Sequence, residues 1–248
     1  MTFISNLING ISLGSVYAMI ALGYTMVYGI AKMLNFAHGD VIMVGAYISF
    51  CASAYLGLPP VLSVLLAMLV CTLLGIGIEA FAYKPLRRAG SLSVLITAIG
   101  VSYLLQNIAL LIWGSNPKSF TSIITFGSLS LFDGKLIITA ESIVTVIACV
   151  IIMIVLTLFT KKSRMGKAMR AVSEDKDAAE LMGINVNVTI SLTFAIGSAL
   201  AAIAGVLLCS AYPILQPTTG AMPGIKAFTA AVFGGIGSIP GAMIGGIL

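Results

Sequence analysis

The chain has 248 residues, 59% of them hydrophobic and only 8% charged, with a formal net charge of +5. A soluble domain carries about 25% charged residues, so a soluble protein is excluded. The positive surplus reads as loops held on one side of a membrane rather than as a nucleic-acid surface. Apolar runs of about twenty residues recur along the sequence, each long enough to cross a bilayer as a helix.

The opening "MTFISNLING" has no basic stretch ahead of its apolar run, unlike a cleaved signal peptide. The first span is therefore expected to stay in the mature chain. Apolar runs and breakers predict helices at roughly 10–30, 38–56, 60–82, 91–113, 136–160 and 187–211, with a seventh apolar segment from about 224 to the end. The boundaries are marked by "GLPP" (57–60), "KPLRRAG" (84–90), "WGSNPKS" (113–119) and "YPILQPTTGAMPG" (212–224). The predicted fold class is all-α, a polytopic transmembrane helical bundle forming one domain over 1–248. The final "GAMIGGIL" stops inside an apolar run with no polar flank, and is expected to belong to a longer chain.

Orientation follows from Lys and Arg. Lys84, Arg87 and Arg88 share one short loop, and Lys161, Lys162, Arg164, Lys167, Arg170 and Lys176 another, two spans away. Both loops lie on one face, which the positive-inside rule makes cytoplasmic. The loops at 114–135 and 212–223 then face outward with only Lys118 and Lys135. By parity Lys32 is inside and the N-terminus outside.

Glycines and alanines spaced by four (Gly237, Gly241, Gly245; Gly197, Ala201, Gly205; Gly10, Gly14) form ridges that let helices approach closely in lipid. They are read mainly as packing within the chain. Cys51, Cys71, Cys149 and Cys209 share no metal-ligand or CxxC spacing and read as small buried hydrophobes.

Two polar interruptions stand out inside the apolar pattern. "NFAHGD" (35–40) holds the chain's one histidine, His38, with Asn35 and Asp40 close by. Ionisable groups in spans face partners or cavities. Asp40 is expected to cap the next helix with His38 paired to it locally, and the kink could line a translocation path. "FGGIGSIPGAMIGG" (233–246) carries Pro240 in mid-run, which predicts a discontinuous or re-entrant helix, with Gly234, Gly235 and Gly237 as candidate path residues. Gln106 and Asn107 are expected to bond across helices, and Glu79 to reach Lys84 or the membrane interface.

Residues 161–180 hold ten of the 21 charged side chains, 13 basic and 8 acidic in all. Ser173 suits an N-cap, Glu174 and Asp175 suit a first turn, and Gly183 suits a left-handed C′ position. A short helix from about Glu174 to Met182 is predicted, with Ala178, Leu181 and Met182 on one face. Physics alone leaves two occupants for that face, lipid headgroups or a groove in a soluble partner.

"DAAELMG" (Asp177–Gly183) resembles the EAA-x-x-x-G motif of ABC importer permeases, with Asp for the first Glu; the I-x-L-P tail of many such permeases is absent. The resemblance widens over "LINGISLGSVYAMIALGYTMVYGIAKMLNFAHGD" (7–40), "PLRRAGSLSVLITAIGVSYLLQN" (85–107), "GKAMRAVSEDKDAAELMGINV" (166–186) and "KAFTAAVFGGIGSIPGAMIGG" (226–246). In this order these are similar to the membrane subunit of high-affinity branched-chain amino-acid ABC importers. The resemblance implies about eight spans in a full-length chain, and Asp177, Ala178, Ala179, Leu181, Met182 and Gly183 as the contact to an ATPase. It further implies a second, homologous permease subunit, two cytoplasmic ABC ATPase subunits, a periplasmic amino-acid-binding protein, and residence in a bacterial inner membrane. No cofactor, metal or catalytic residue is expected: GxxxxGK[ST], HExxH and GxSxG are all absent, and one histidine offers little for acid–base or metal chemistry. The alternative is an ion-gradient-driven secondary amino-acid transporter, which would need no cytoplasmic docking helix.

Overall fold

The computed structural model describes residues 2–87, 89–124, 127–131 and 136–248. Arg88 and Lys135, which enter the charge asymmetry above, lie outside them. The bundle begins with α1 (Thr2–Ala31) and α2 (His38–Ala54). Next comes α3 (Pro60–Ile78), which runs on through a π turn, Glu79–Tyr83, and a 3₁₀ turn, Lys84–Leu86. Then follow α4 (Ser91–Trp113) and α5 (Ala140–Lys162), the short α6 (Arg164–Glu174) and α7 (Lys176–Leu181), α8 (Val186–Ala211), α9 (Ala221–Phe233) and α10 (Ile239–Ile247). Among the described residues, five helices are long and apolar enough to cross a membrane, spanning 3–31, 60–86, 91–113, 140–162 and 186–211. The chain is a multi-pass membrane protein.

Local chemistry sets the ends. Pro60 opens α3 behind an extended Pro59, a position where the missing N–H costs nothing. Thr139 caps α5 by accepting from the Ser142 N–H, which moves its start from the expected 136 to Ala140. The residues just before pair instead as β2 (Leu129–Leu131) with β3 (Leu136–Ile138). Nearby, β1 (Lys118–Ser119) joins β4 (Ile214–Leu215), so the two predicted outward loops are stitched together by a short antiparallel ladder.

α1 and α8 form the buried centre, while α4 and α5 turn most of their surface outward. The small-residue ridge of α8 serves that centre: Gly205 lies under the Ile42 carbonyl, and a Cβ on Gly45 would stand 2.6 Å from the Ala202 Cα. Without a hydrophobic drive between helices in lipid, such close backbone contact supplies much of the association. Cys71, Cys149 and Cys209 are buried and Cys51 half-buried, all as free thiols.

The seventh segment is discontinuous, as expected for its glycine-rich 233–246 stretch. It folds back on itself: α9 and α10 are antiparallel, with Gly241 against Gly234 and Gly245 against Ala230. α10 then climbs beside α1, placing Gly237 next to Gly29 and Ile247 next to Gly14. The reversal falls at Gly235 (φ 84°) and Gly237 (φ 100°), which adopt the left-handed backbone that favours glycine. Pro240 therefore does not interrupt a helix; it sits in the first turn of α10 behind the Ser238 cap.

Candidate functional site

The charged stretch folds as two helices where one was expected. α6 starts at a Ser163 cap that accepts from the Gly166 N–H at 2.8 Å, and it buries Met169 and Val172. Ser173 is not the cap of the next helix; its hydroxyl donates to the Arg170 carbonyl at 2.6 Å within α6. Asp175 caps α7 instead, accepting from the N–H groups of Asp177 (2.9 Å) and Ala178 (3.0 Å). A carboxylate facing bare N–H groups is favoured by the helix dipole as well as by the bonds, and burial of Met169 and Val172 carries the preceding residues into α6. Gly183, at φ 80°, ends α7. Its N–H reaches the Glu180 carbonyl (2.9 Å) and the Ile184 N–H reaches that of Ala179 (3.0 Å), the paired bonds of a Schellman stop.

α7 thus has an inner and an outer side. Ala179 is 4% exposed and faces the bundle, while Leu181 and Met182 are 90% and 83% exposed. Asp177, Ala178 and Glu180 are exposed as well. The Ala178–Leu181–Met182 face predicted from spacing points away from the bundle, and of the six motif residues only Ala179 is turned inward. Beside α7 an open groove of about 540 Å³ is lined by Arg87, Lys176, Asp177, Glu180 and the 183–187 segment.

Lys176 was legible only as one of the basic residues. Its ammonium donates to the Ala31 carbonyl at 3.0 Å, at the C-terminus of α1. Burial, then the nearby Arg87 and Lys32 charges, push its pKa down, against an opposing pull from Asp177.

Behind this contact lies the first polar break. α1 ends at Ala31, and Lys32 takes a left-handed backbone (φ 57°), unusual for a side-chain-bearing residue. Residues 32–37 then re-enter the bundle. Asn35 is buried, and its Oδ1 accepts from the Tyr83 hydroxyl at 3.0 Å; Tyr83 also reaches the Leu34 carbonyl at 3.3 Å. His38 is buried against Tyr24, ring centroids 4.7 Å apart, and leaves no room for a side chain on Gly23. Gly23 lies about 12 Å along the axis from the end of α1 at 1.5 Å per residue, so the 17-residue α2 starts well back along α1 rather than at its end.

The expected local pairing is not what the structure holds. α2 has no side-chain cap. Asp40, also buried, accepts from Gln106 of α4 at 2.9 Å, while His38 packs on Tyr24. Gln106 bonds across helices as expected; Asn107 does not, donating to the Tyr103 carbonyl of its own helix. Glu79, buried in the π turn, pairs with Arg87 and not with Lys84, and it also accepts from Ser191 of α8 at 2.5 Å. Arg87 bonds Asn187 as well. Sequence reasoning missed Tyr83, Tyr24 and Lys176 as partners of the break, because their spacing along the chain carries no signal of contact.

Gly234 is half-buried, and Gly235 and Gly237 are exposed, in the α9–α10 turn. Gly237 and Ser238 border a cavity of about 470 Å³ with Thr25, Lys161 and Arg170. Gly237 sits at the level of Gly29, about 9 Å below that of Gly23 at 1.5 Å per residue, so the two candidate path segments occupy different depths along α1. The first turn of α2 meets the start of α9 instead at Gly39 and Gly220, where a Cβ on Gly39 would stand 2.6 Å from the Gly220 carbonyl oxygen. Among the described residues no three His, Cys, Asp or Glu side chains gather as a metal site would require.

A multi-pass helical bundle with re-entrant polar breaks, and a capped helix presented on its basic face, defines a membrane transport protein. A family model described as the permease component of branched-chain amino acid transport systems matches residues 6–248, and the chain belongs to that family. It is 46% identical over 99% of its length to the high-affinity branched-chain amino acid transport system permease protein BraD of Pseudomonas aeruginosa, covering 83% of that protein. Identity and both coverages are the same for LivH of Escherichia coli K12, which bears the same description. A probable branched-chain amino acid transport permease protein LivH of Methanocaldococcus jannaschii is 33% identical over 93% of this chain and 73% of its own. No solved structure matches the chain.

Proposed function

We propose that this chain is the transmembrane permease subunit of an ATP-driven importer that carries branched-chain or related amino acids across a bacterial inner membrane into the cytoplasm. The observation that carries the reading is α7: a firmly capped helix, inside the region matched by the family, that holds Leu181 and Met182 almost fully exposed on the basic face. Large apolar side chains at such exposure call for a partner. The groove of a cytoplasmic ATPase subunit supplies one in the helix-in-groove mode, with Asp177, Ala178, Leu181 and Met182 in contact, Ala179 anchoring α7 to the bundle and Gly183 ending it.

The assembly would include a second permease subunit, two ATPase subunits and an amino-acid-binding protein on the outer side. ATP binding would draw the ATPases together and move α7, and the bundle would alternate between outward and inward access, each state selected by nucleotide or binding protein. Asn35, His38 and Asp40 at the α2 break would line the path at mid-depth, and Gly234, Gly235 and Gly237 nearer its cytoplasmic end. The test is uptake of labelled leucine into vesicles carrying all the subunits, beside a Leu181→Asp, Met182→Asp variant. The expected result is ATP-dependent uptake that the variant loses together with its ATPase subunits. Uptake that ignores ATP and survives the substitutions would establish a gradient-driven carrier instead. Single-cysteine labelling from water at positions 35, 38 and 237 tests the path; protection of all three would remove those residues from it.

A further inference from the structure

The joints around α7 are slender. Asp175 alone separates it from α6, and the Gly183 turn separates it from α8. Buried Ala179 holds this six-residue helix against the bundle by packing alone, and a bond from α7 to a span adds a directional tie. Lys176 is placed where the α7 dipole disfavours it, at the first position of a helix, where a cation meets the positive end. It also faces the charges of Arg87 and Lys32, with Asp177 alone in opposition. What compensates is the Ala31 carbonyl, one of the unpaired acceptors at the negative end of α1.

The next residues form the break. From Lys32 onward the chain turns back into the bundle, and Tyr83 holds Leu34 and Asn35 from the other side. Tyr83 is itself fixed, packed on Phe194 of α8 with ring centroids 5.1 Å apart. The π turn that carries it is locked to α8 through Glu79, Arg87 and Ser191. The middle of the 32–37 segment is therefore held to the α8 side of the bundle through Tyr83, and Ala31, the residue just before it, is bonded to α7 through Lys176. Three residues beyond Asn35, His38 begins the buried face of α2.

We propose that Lys176 is a positioning residue for transport: its ammonium ties α7 to the cytoplasmic end of α1, so that movement of α7 is delivered to the 32–37 break and on to the buried start of α2. The proposal rests on the reading of α7 as the ATPase contact. It assigns the tie to a side chain on the inner side of α7, apart from the outward face that would meet the ATPase.

The test uses the complete transporter in vesicles and reads three quantities: ATPase subunits retained, ATP hydrolysed, and leucine taken up. Lys176→Met keeps the aliphatic stem and removes the donor. It is expected to retain its ATPases and hydrolyse ATP like the parent, while uptake per ATP falls about tenfold, within the usual range of coupling between sites. Lys176→Arg, which keeps a cationic donor, is expected to recover most of the uptake. A Lys32→Cys, Lys176→Cys pair, whose parent side chains line one cavity, is expected to be poorly coupled until a short thiol cross-linker joins the two positions, and to transport once joined. Parent-like uptake by Lys176→Met, or a loss that neither Arg nor the cross-link restores, overturns the tie. Should Met182→Asp retain its ATPases in full, the docking reading fails by itself, whatever the Lys176 variants do.

Discussion

Removing the two apolar side chains at the tip of α7 should weaken ATPase binding without touching the fold. Leu181 and Met182 are 90% and 83% exposed, so nearly all of their burial free energy remains available to a partner. Full burial of such a side chain is worth roughly 1.5–3 kcal/mol, and alanine keeps only part of it. Each truncation to alanine therefore forfeits about 1–2 kcal/mol and the pair about 2–4, which is roughly a 30- to 700-fold rise in Kd. The assay is titration of the ATPase subunit onto detergent-solubilised permease at fixed salt, parent beside Leu181→Ala, Met182→Ala. Thermal stability of the permease alone is the control, and it should stay within about 0.5 kcal/mol because neither side chain packs against the bundle. A double variant that binds within about threefold of the parent, a difference of the size that surface substitutions produce anyway, would refute the placement of the docking surface at the α7 tip.

Arg87→Met strands the buried Glu79 carboxylate and should destabilise the solubilised permease by about 3–5 kcal/mol, read as a fall in Tm; adding Glu79→Gln should recover part of the loss. Gly205→Ala pushes a methyl into the Ile42 carbonyl and should cost about 1–3 kcal/mol. Gly100→Ala, on α4 with nothing within 4 Å of the added Cβ, should instead stabilise by up to about 1 kcal/mol; equal Tm values for the two would contradict the α2–α8 contact. Because the folded-state pKa of Lys176 is pushed below its ordinary 10.5, the unfolded chain binds more protons between the two values. Its contribution to stability should rise with pH across that window, and below it the cost of holding the charge is present in full. Amine labelling of Lys176 with a midpoint at or above 10.5 would contradict this.

The long apolar helices, the gathering of basic residues in two loops and the existence of a helix ending at Gly183 were all legible in the sequence, because each depends on local quantities. Apolar length decides whether a segment crosses, Lys and Arg placement decides orientation, and a glycine after a short amphipathic run decides a stop. Where two local signals competed, tertiary burial chose. Ser173 reads locally as the cap, but Met169 and Val172 found a buried face and drew it into α6, which left Asp175 to cap α7. The seventh segment had length enough for a span, but its glycines allowed a reversal, and contact with Gly29, Ala18 and Gly14 of α1 made that reversal favourable.

The candidate site divides in the same way. The sequence by itself determined that Asn35, His38 and Asp40 sit in a polar break and that Ala178, Leu181 and Met182 share one helical face, since both follow from residues a few positions apart. Only the tertiary structure decided the partners: Asp40 with Gln106, Asn35 with Tyr83, Glu79 with Arg87 and Ser191, Lys176 with Ala31. A buried polar group must find a bond, and the sequence shows that the need exists. Which group meets it is set by how helices distant in the chain come to lie side by side, and no spacing rule within a single helix carries that information.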